Sequence, residues 1–116
     1  AQVAAVEAFH PESIAEAEAL LDHYATNRRL LIDGLRSLGI DRLAPADGAF
    51  YVYADVSRYT EDSMEFCSKL LADTGVAIAP GIDFDTVHGD RFVRFSFAGA
   101  TSDIEEALRR IGGWLA

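Results

Sequence analysis

Apolar and polar positions follow a helical period through the first third of the chain. From Pro11 onward, apolar residues recur at separations of three and four, the spacing of one face of an α-helix. Pro11 suits a first helical turn, and Gly39 stands where a left-handed residue ends a helix. The pattern therefore predicts one long helix that starts at residue 11 and ends before residue 39. Its stripe, broken only by Arg28, consists of Ile14, Ala17, Leu21, Tyr24, Leu31, Leu35 and Leu38.

This helix is long for a chain of 116 residues. At about 1.5 Å per residue it measures roughly 40 Å, whereas a compact domain of this size is only ~35 Å across. Residues 1–10 form an apolar segment that lacks a helix-start signal and looks like the tail of a preceding helix. We therefore expect residues 1–10 to be an inter-domain segment and residues 11–116 to be one domain of a longer polypeptide.

The rest of the chain alternates between strand and helix patterns. Strands are predicted at "AFYVYADV" (49–56), "VAIA" (76–79) and "RFVRFSFA" (91–98). Helices are predicted from residue 62 or 63 to residue 74 and from residue 102 onward, each with a capping box. This order favours an α/β fold in which a small sheet of about three strands carries helices on one face. The predicted capping boxes are Asp62 with Glu65 and Ser102 with Glu105. The apolar face of the first of these helices is predicted to be Met64, Cys67, Leu70 and Leu71, and that of the second Ile104, Ala107, Leu108 and Ile111.

Charge and composition narrow the classes of function. Nineteen acidic residues against ten basic ones give a net charge of −9, which argues against binding to nucleic acid or to an anionic membrane surface. No apolar run has the length of a membrane span. Cys67 is the single cysteine; it excludes an internal disulfide and is predicted to be a core residue. We expect a cytoplasmic protein.

Arg94 interrupts the apolar strand at residues 91–98. Strand alternation places Val93 and Phe95 on the core face and Arg94 on the face that the helices leave uncovered. A guanidinium presents a planar fork that matches a carboxylate with two parallel hydrogen bonds. From the residues alone, Arg94 is either a surface arginine paired with a neighbouring acid or the binding group for a carboxylate ligand.

Four segments, taken together, resemble the C-terminal small domain of class I/II aminotransferases of fold type I. They are "YATNRRLLIDGLRSLGI", "PADGAFYVYADVS", "GVAIAPGIDF" and "RFVRFSFAGATSDIEEALRRI". The resemblance implies a parent transferase that uses pyridoxal 5'-phosphate to move an amino group between an amino acid and a 2-oxo acid. It also implies a homodimer, a large domain elsewhere in the same protein, and a long helix that joins the two domains.

The same resemblance assigns roles to particular residues. Arg94 matches the arginine that binds the substrate α-carboxylate, and Gly48 and Phe50 match a segment that lines the substrate pocket. Lys69 lacks the setting of the cofactor lysine, so the cofactor-binding residues are expected in the missing N-terminal portion and the chain alone is expected to be inactive. Asp85 stands where the family usually has glycine, which implies a differently shaped loop.

Alternatives remain open at this point. The chain could be a freestanding α/β module that binds a small carboxylate, a purely structural interaction domain, or part of a related pyridoxal-phosphate lyase. An acidic loop also allows a divalent-cation site, although a solvated loop is the plainer interpretation. That loop contains Asp83, Asp85, His88 and Asp90.

Overall fold

The computed structural model describes residues 1–116 and contains four α-helices and a three-stranded sheet. Short 3-10 turns connect several of these elements. The helices are α1 (Gln2–Val6), α2 (Pro11–Ser37), α3 (Ser63–Thr74) and α4 (Thr101–Leu115), the strands are β1 (Tyr51–Asp55), β2 (Ala79–Pro80) and β3 (Phe92–Ser96), and the turns are Glu7–Phe9, Gly81–Asp83 and Gly89–Arg91.

Helix α2 confirms the predicted long helix. It begins at Pro11, ends at Ser37, and is followed by Gly39 with φ +80°. The molecule is elongated along one axis, with extents of 47 × 30 × 26 Å and a radius of gyration of 16.2 Å, against about 13 Å for a compact domain of similar length. Even this helix lacks the continuous apolar stretch that a bilayer-crossing helix needs.

Only the C-terminal half of the α2 stripe is covered by the rest of the chain. Leu31 and Leu35 are buried, whereas Leu21 is 63% exposed and Ile14 is 45% exposed. Helix α1 has no buried residue at all. The apolar side chains of α1 and of the N-terminal half of α2 therefore lie on the surface.

The sheet is antiparallel, with strand order β1-β3-β2. β3 is central, so Arg94 lies between Tyr53 of β1 and Ala79 of β2. Of the predicted strand at residues 76–79 only Ala79 belongs to β2, which continues into Pro80, one residue beyond the predicted end. Pro80 has no N–H to donate, which confines it to a strand end or an edge.

One face of this sheet packs against the helices. Val52 and Ala54 of β1 and Val93 and Phe95 of β3 are buried, and they belong to a single core cluster of 14 residues contributed entirely by this chain. The intervening residues stay partly or largely exposed on the other face. The predicted layer arrangement is thus confirmed, with the Arg94 side uncovered.

Two details of the helix predictions were wrong. In α3, Met64 and Leu71 are 44% and 51% exposed; the buried residues are Ser63, Phe66, Cys67 and Leu70, because the face that meets the sheet is rotated from the predicted one. The Asp62 carboxylate accepts the N–H of Glu65 at 3.0 Å as predicted.

The second capping box is absent. Helix α4 begins at Thr101, and the preceding residue, Ala100, offers no side-chain cap. Instead of capping its own helix, the Thr101 hydroxyl donates to Asn27 Oδ1 of α2 at 2.6 Å. The start of α4 is thus tied to α2 by a contact between distant segments.

Candidate functional site

A cavity of about 520 Å³ opens on the uncovered face of the sheet. We call it the Arg94 cavity. It is built by the two long strands, by the loop that precedes β1 and by the loop that joins β2 to β3. The lining residues are Ala44, Pro45, Gly48, Ala49, Tyr51, Tyr53, Phe84, Asp85 and Arg94.

The Arg94 guanidinium lies between two aromatic rings of this cavity. Its central carbon is 4.6 Å from the centre of the Phe84 ring and 5.4 Å from the centre of the Tyr51 ring. Cation–π contacts of this kind hold a guanidinium in place without using its N–H groups. The fork of donors thus remains available to a ligand.

No protein acceptor satisfies these donors. Arg94 is partly buried and makes no ion pair or side-chain hydrogen bond. Arg28, the other partly buried arginine, donates from Nε to the Ala46 carbonyl at 2.6 Å. Arg94 is therefore not paired with a neighbouring acid, which was one of the two interpretations that the sequence left open.

Tyr53, the cross-strand neighbour of Arg94, forms part of the cavity floor. Its ring stacks on Phe92 at 4.9 Å with an interplanar angle of 7°, and its hydroxyl is buried without a hydrogen-bond partner. Burial raises the pKa of this hydroxyl, and the negative charge of Asp85 raises it further. Tyr53 therefore stays protonated at neutral pH.

The loop at residues 81–91 is fixed by backbone packing between two glycines. A Cβ on Gly81 would lie 2.6 Å from the carbonyl oxygens of Gly89 and Phe92 and 2.7 Å from the Tyr53 hydroxyl. The buried Ser63 hydroxyl donates to the Gly89 carbonyl at 2.8 Å, which ties the loop to the start of α3. This packing sets the position of the cavity residues on the loop.

Asp85 stabilises the same loop from its exposed side. Its Oδ1 accepts the backbone N–H groups of Val87 at 2.9 Å and His88 at 3.1 Å. These two hydrogen bonds lower the pKa of the Asp85 carboxyl. The carboxylate is therefore ionised at neutral pH.

The segment before β1 contains the other predicted pocket residues. Gly48 lines the Arg94 cavity and Ala49, beside it, adopts φ +56°, a left-handed conformation that costs a non-glycine residue roughly 1–2 kcal/mol. Phe50 is 47% exposed and lies outside both the strand and the cavity lining. Its ring contacts Tyr51 edge-on at 6.2 Å, and Tyr51 is the aromatic residue that reaches the cavity.

Other candidate groups lie elsewhere. Burial raises the pKa of the Cys67 thiol to about 11, with Asp83 adding to the shift, as suits an unreactive core cysteine. The acidic loop does not gather into a metal-binding set, because no group of three or more His, Cys, Asp or Glu side chains is arranged to hold a metal ion. Instead, Asp85 serves as a turn cap.

Pyridoxal phosphate requires a lysine amine, and the residues that line the Arg94 cavity do not include one. The single lysine, Lys69, pairs with Glu65 at 2.7 Å, is 64% exposed, and borders a different depression. The Arg94 cavity therefore lacks the amine that such a cofactor requires. Its one cation and its aromatic walls instead fit a carboxylate ligand.

Sequence reasoning missed three contributors to this region. Strand alternation puts Tyr51 on the face opposite to Val52, but its contact with Arg94 depends on the strand register. Phe84 reaches Arg94 only through the folded loop, and no local pattern marks it. Asn27 is fully buried, donating from Nδ2 to the carbonyls of Phe97 at 3.0 Å and Gly99 at 2.8 Å. The one available signal was a polar residue beside the apolar stripe of α2.

The fold and the site together define a small α/β domain with an unpaired arginine in the wall of an open cavity. The chain matches Aminotransferase class I and II over residues 1–111, and it belongs to that family.

Individual relatives agree with this assignment. The chain is 74% identical over 114 residues to the valine–pyruvate aminotransferase of Mycobacterium tuberculosis, covering 98% of this chain and 29% of that protein. It is 36% identical to the aspartate/prephenate aminotransferase of Thermus thermophilus, covering 95% of this chain and 28% of the relative.

A solved structure shows the same fold. The crystal structure of an aminotransferase from Mycobacterium tuberculosis superposes with a TM-score of 0.96 at 74% identity, over 98% of this chain and 30% of that one. The chain thus spans about 30% of the length of the relatives it matches.

Proposed function

We propose that this chain is the C-terminal small domain of a pyridoxal-phosphate-dependent aminotransferase, and that Arg94 binds the α-carboxylate of the amino acid and of the 2-oxo acid. The observation that carries the proposal is the geometry of Arg94. The side chain is partly buried, lies 4.6 Å and 5.4 Å from two aromatic rings, and has no protein acceptor. A carboxylate is the ligand that fits such a fork.

Arg94 would act by positioning its ligand. Two parallel hydrogen bonds from one guanidinium fix both the place and the plane of a carboxylate. Phe84 and Tyr51 flank the guanidinium and shield part of it from water, which would strengthen the pair. Because the α-carboxylate is attached to the reacting carbon, fixing it orients the bonds of that carbon, which can lower a barrier by several kcal/mol.

The cofactor would come from the rest of the polypeptide. Pyridoxal phosphate, when bound, supplies an electron-withdrawing ring that stabilises negative charge on the substrate Cα. We place the cofactor lysine in a large domain, with residues 1–10 as the inter-domain segment and residues 11–116 as the small domain. The exposed apolar residues Val3, Val6 and Phe9 suit a segment that packs against other polypeptide.

The other predicted pocket residues take lesser parts in this proposal. Gly48 borders the cavity, where the absence of a side chain leaves room for the ligand. Phe50 acts through its edge-on contact with Tyr51. A homodimeric parent is part of the same proposal, as is its cytoplasmic location.

Valine and pyruvate are the first substrate pair to test. A relative that is 74% identical over this segment is named for that pair. Both compounds have a single carboxylate, which matches the single cation of the Arg94 cavity. Following the product also separates a transferase, which makes a new amino acid from the 2-oxo acid, from a lyase, which releases ammonia or carbon dioxide.

The test is Arg94→Lys in the full-length parent enzyme. An ammonium keeps the charge but loses the planar fork, so kcat/KM should fall about 100-fold for every substrate. The matched control is Arg58→Lys, because Arg58 also lies over an aromatic ring, at 5.8 Å from Tyr59, but away from the cavity. If Arg94→Lys and Arg58→Lys have equal kcat/KM values, the assigned role of Arg94 is wrong.

A further inference from the structure

The Arg94 cavity contains two charged side chains of opposite sign. Arg94 and Asp85 both line it, and every other lining residue is apolar or a neutral tyrosine. No ion pair joins the two within 4.0 Å. The two charges therefore border the same cavity without neutralising each other through an ion pair.

The Asp85 charge is held in a defined place. Only its Oδ1 accepts the two backbone N–H groups, at 2.9 Å and 3.1 Å, so the second oxygen has no donor. His88 and Arg91 attract the carboxylate, but neither forms an ion pair with it or lines the cavity. The negative charge is thus fixed and only partly compensated.

This arrangement treats ligands with one and two carboxylates differently. One carboxylate is neutralised by Arg94. A second would find no further cation among the residues that this chain contributes to the cavity and would meet the Asp85 carboxylate instead, and like charges brought close together repel each other. A neutral side chain meets no such penalty.

Resting on the proposed function above, we propose that Asp85 is a specificity-determining residue that makes the Arg94 cavity select monocarboxylic amino acids and 2-oxo acids and reject dicarboxylic ones. The selection works through repulsion of the unwanted ligand. Specificity of this kind depends on a repulsive element as much as on attractive contacts.

The experiment compares Asp85→Asn with the unchanged full-length enzyme. Asparagine keeps the Oδ1 acceptor that caps the turn and removes only the charge. We measure inhibition by glutarate and by valerate, a dicarboxylate and a monocarboxylate of equal length, together with kcat/KM for glutamate and valine. Asp85→Asn should shift both dicarboxylate-to-monocarboxylate ratios toward the dicarboxylate by about tenfold at low salt, and by less at high salt.

The control is Asp83→Asn, which removes the same charge from an exposed residue of the same loop outside the cavity. Its ratios should equal those of the unchanged enzyme. Equal ratios in Asp85→Asn and the unchanged enzyme, or an equal shift in Asp83→Asn, would overturn the inference. The proposed function is judged separately, since its failure is an Arg94→Lys enzyme that retains full activity toward every substrate.

Discussion

The Phe84 ring covers the Arg94 guanidinium at 4.6 Å, although the two residues belong to different elements. Arg94 is in the central strand and Phe84 is in the loop that enters it. The loop is fixed by the packing of Gly81 against Gly89. The orientation of the proposed carboxylate-binding group therefore depends on the packing of a loop outside its own strand.

Replacing Phe84 tests this dependence. Phe84→Leu keeps an apolar side chain but removes the π face, which is worth about 0.5–2 kcal/mol to a neighbouring cation. We expect kcat/KM in the full-length enzyme to fall by roughly 2–30-fold for all substrates alike. Val87→Ala serves as the control, since Val87 is on the same loop, 74% exposed, and outside the cavity. An unchanged kcat/KM in Phe84→Leu would show that the ring does not position Arg94.

Asn27 joins α2 to the end of the central strand and to the start of α4. Its amide nitrogen donates to the carbonyls of Phe97 and Gly99, and its oxygen accepts from the Thr101 hydroxyl. Asn27→Ala leaves these three buried or partly buried groups without their hydrogen bonds. We therefore expect the free energy of unfolding of the 116-residue chain to fall by about 3 kcal/mol. Urea denaturation measures this change.

The neighbouring Thr26 provides the comparison for Asn27. Thr26 is exposed and bonds only to its own helix, so Thr26→Ala should change the free energy of unfolding by less than about 0.5 kcal/mol. Equal effects of the two substitutions would contradict the proposed link between α2 and the strand.

Gly89 cannot accept a side chain without moving its loop. An added Cβ would overlap the backbone of Gly81 and lie 2.6 Å from the Ile82 nitrogen. Backbone atoms cannot rotate away, so Gly89→Ala should lower the free energy of unfolding by about 3 kcal/mol. Gly99→Ala is the control, because nothing lies within 4 Å of its Cβ. Matching urea midpoints for the two variants would count against this packing.

The hydrogen bonds of Glu106 should make the free energy of unfolding slightly dependent on pH in the acidic range. Hydrogen bonds from Arg109 and then Arg110 hold the pKa of its carboxyl at about 2, against 4.5 for an ordinary glutamate. Because the folded pKa lies below the unfolded one, this stabilisation is complete above about pH 4.5 and is lost as the pH falls toward 2. The group is exposed, so salt should weaken the effect.

NMR titration of the glutamate carboxyl carbons measures this pKa directly. Glu106→Gln should also flatten the pH dependence of stability between about pH 4.5 and about pH 2, whereas Glu105→Gln, which removes a charge from an exposed residue of the same helix, should not. A Glu106 carboxyl that titrates at an ordinary value would refute the arginine contacts.

The local features of this fold were largely readable in advance. The long helix, the left-handed Gly39 and the Asp62 cap depend on contacts within a few residues, which the sequence encodes directly. The placement of Arg94 on the uncovered face followed from strand alternation alone. By contrast, the Ser102 and Glu105 box failed because the helix starts one residue earlier than predicted, at Thr101, so Ser102 lies inside its first turn. The bond from Thr101 to the distant Asn27 is a feature of this helix start that no local pattern reveals.

In the candidate site, too, some features could be predicted from the sequence and others could not. The sequence by itself determined that an arginine would stand on the bare face of a small sheet, because side-chain direction in a strand has a period of two. Only the tertiary structure decided that Phe84 and Tyr51 enclose this arginine, that Tyr53 lies buried beside it, and that Asp85 shares its cavity. These neighbours are joined by strand register and glycine packing, and such contacts depend on the whole arrangement of the chain rather than on any single segment.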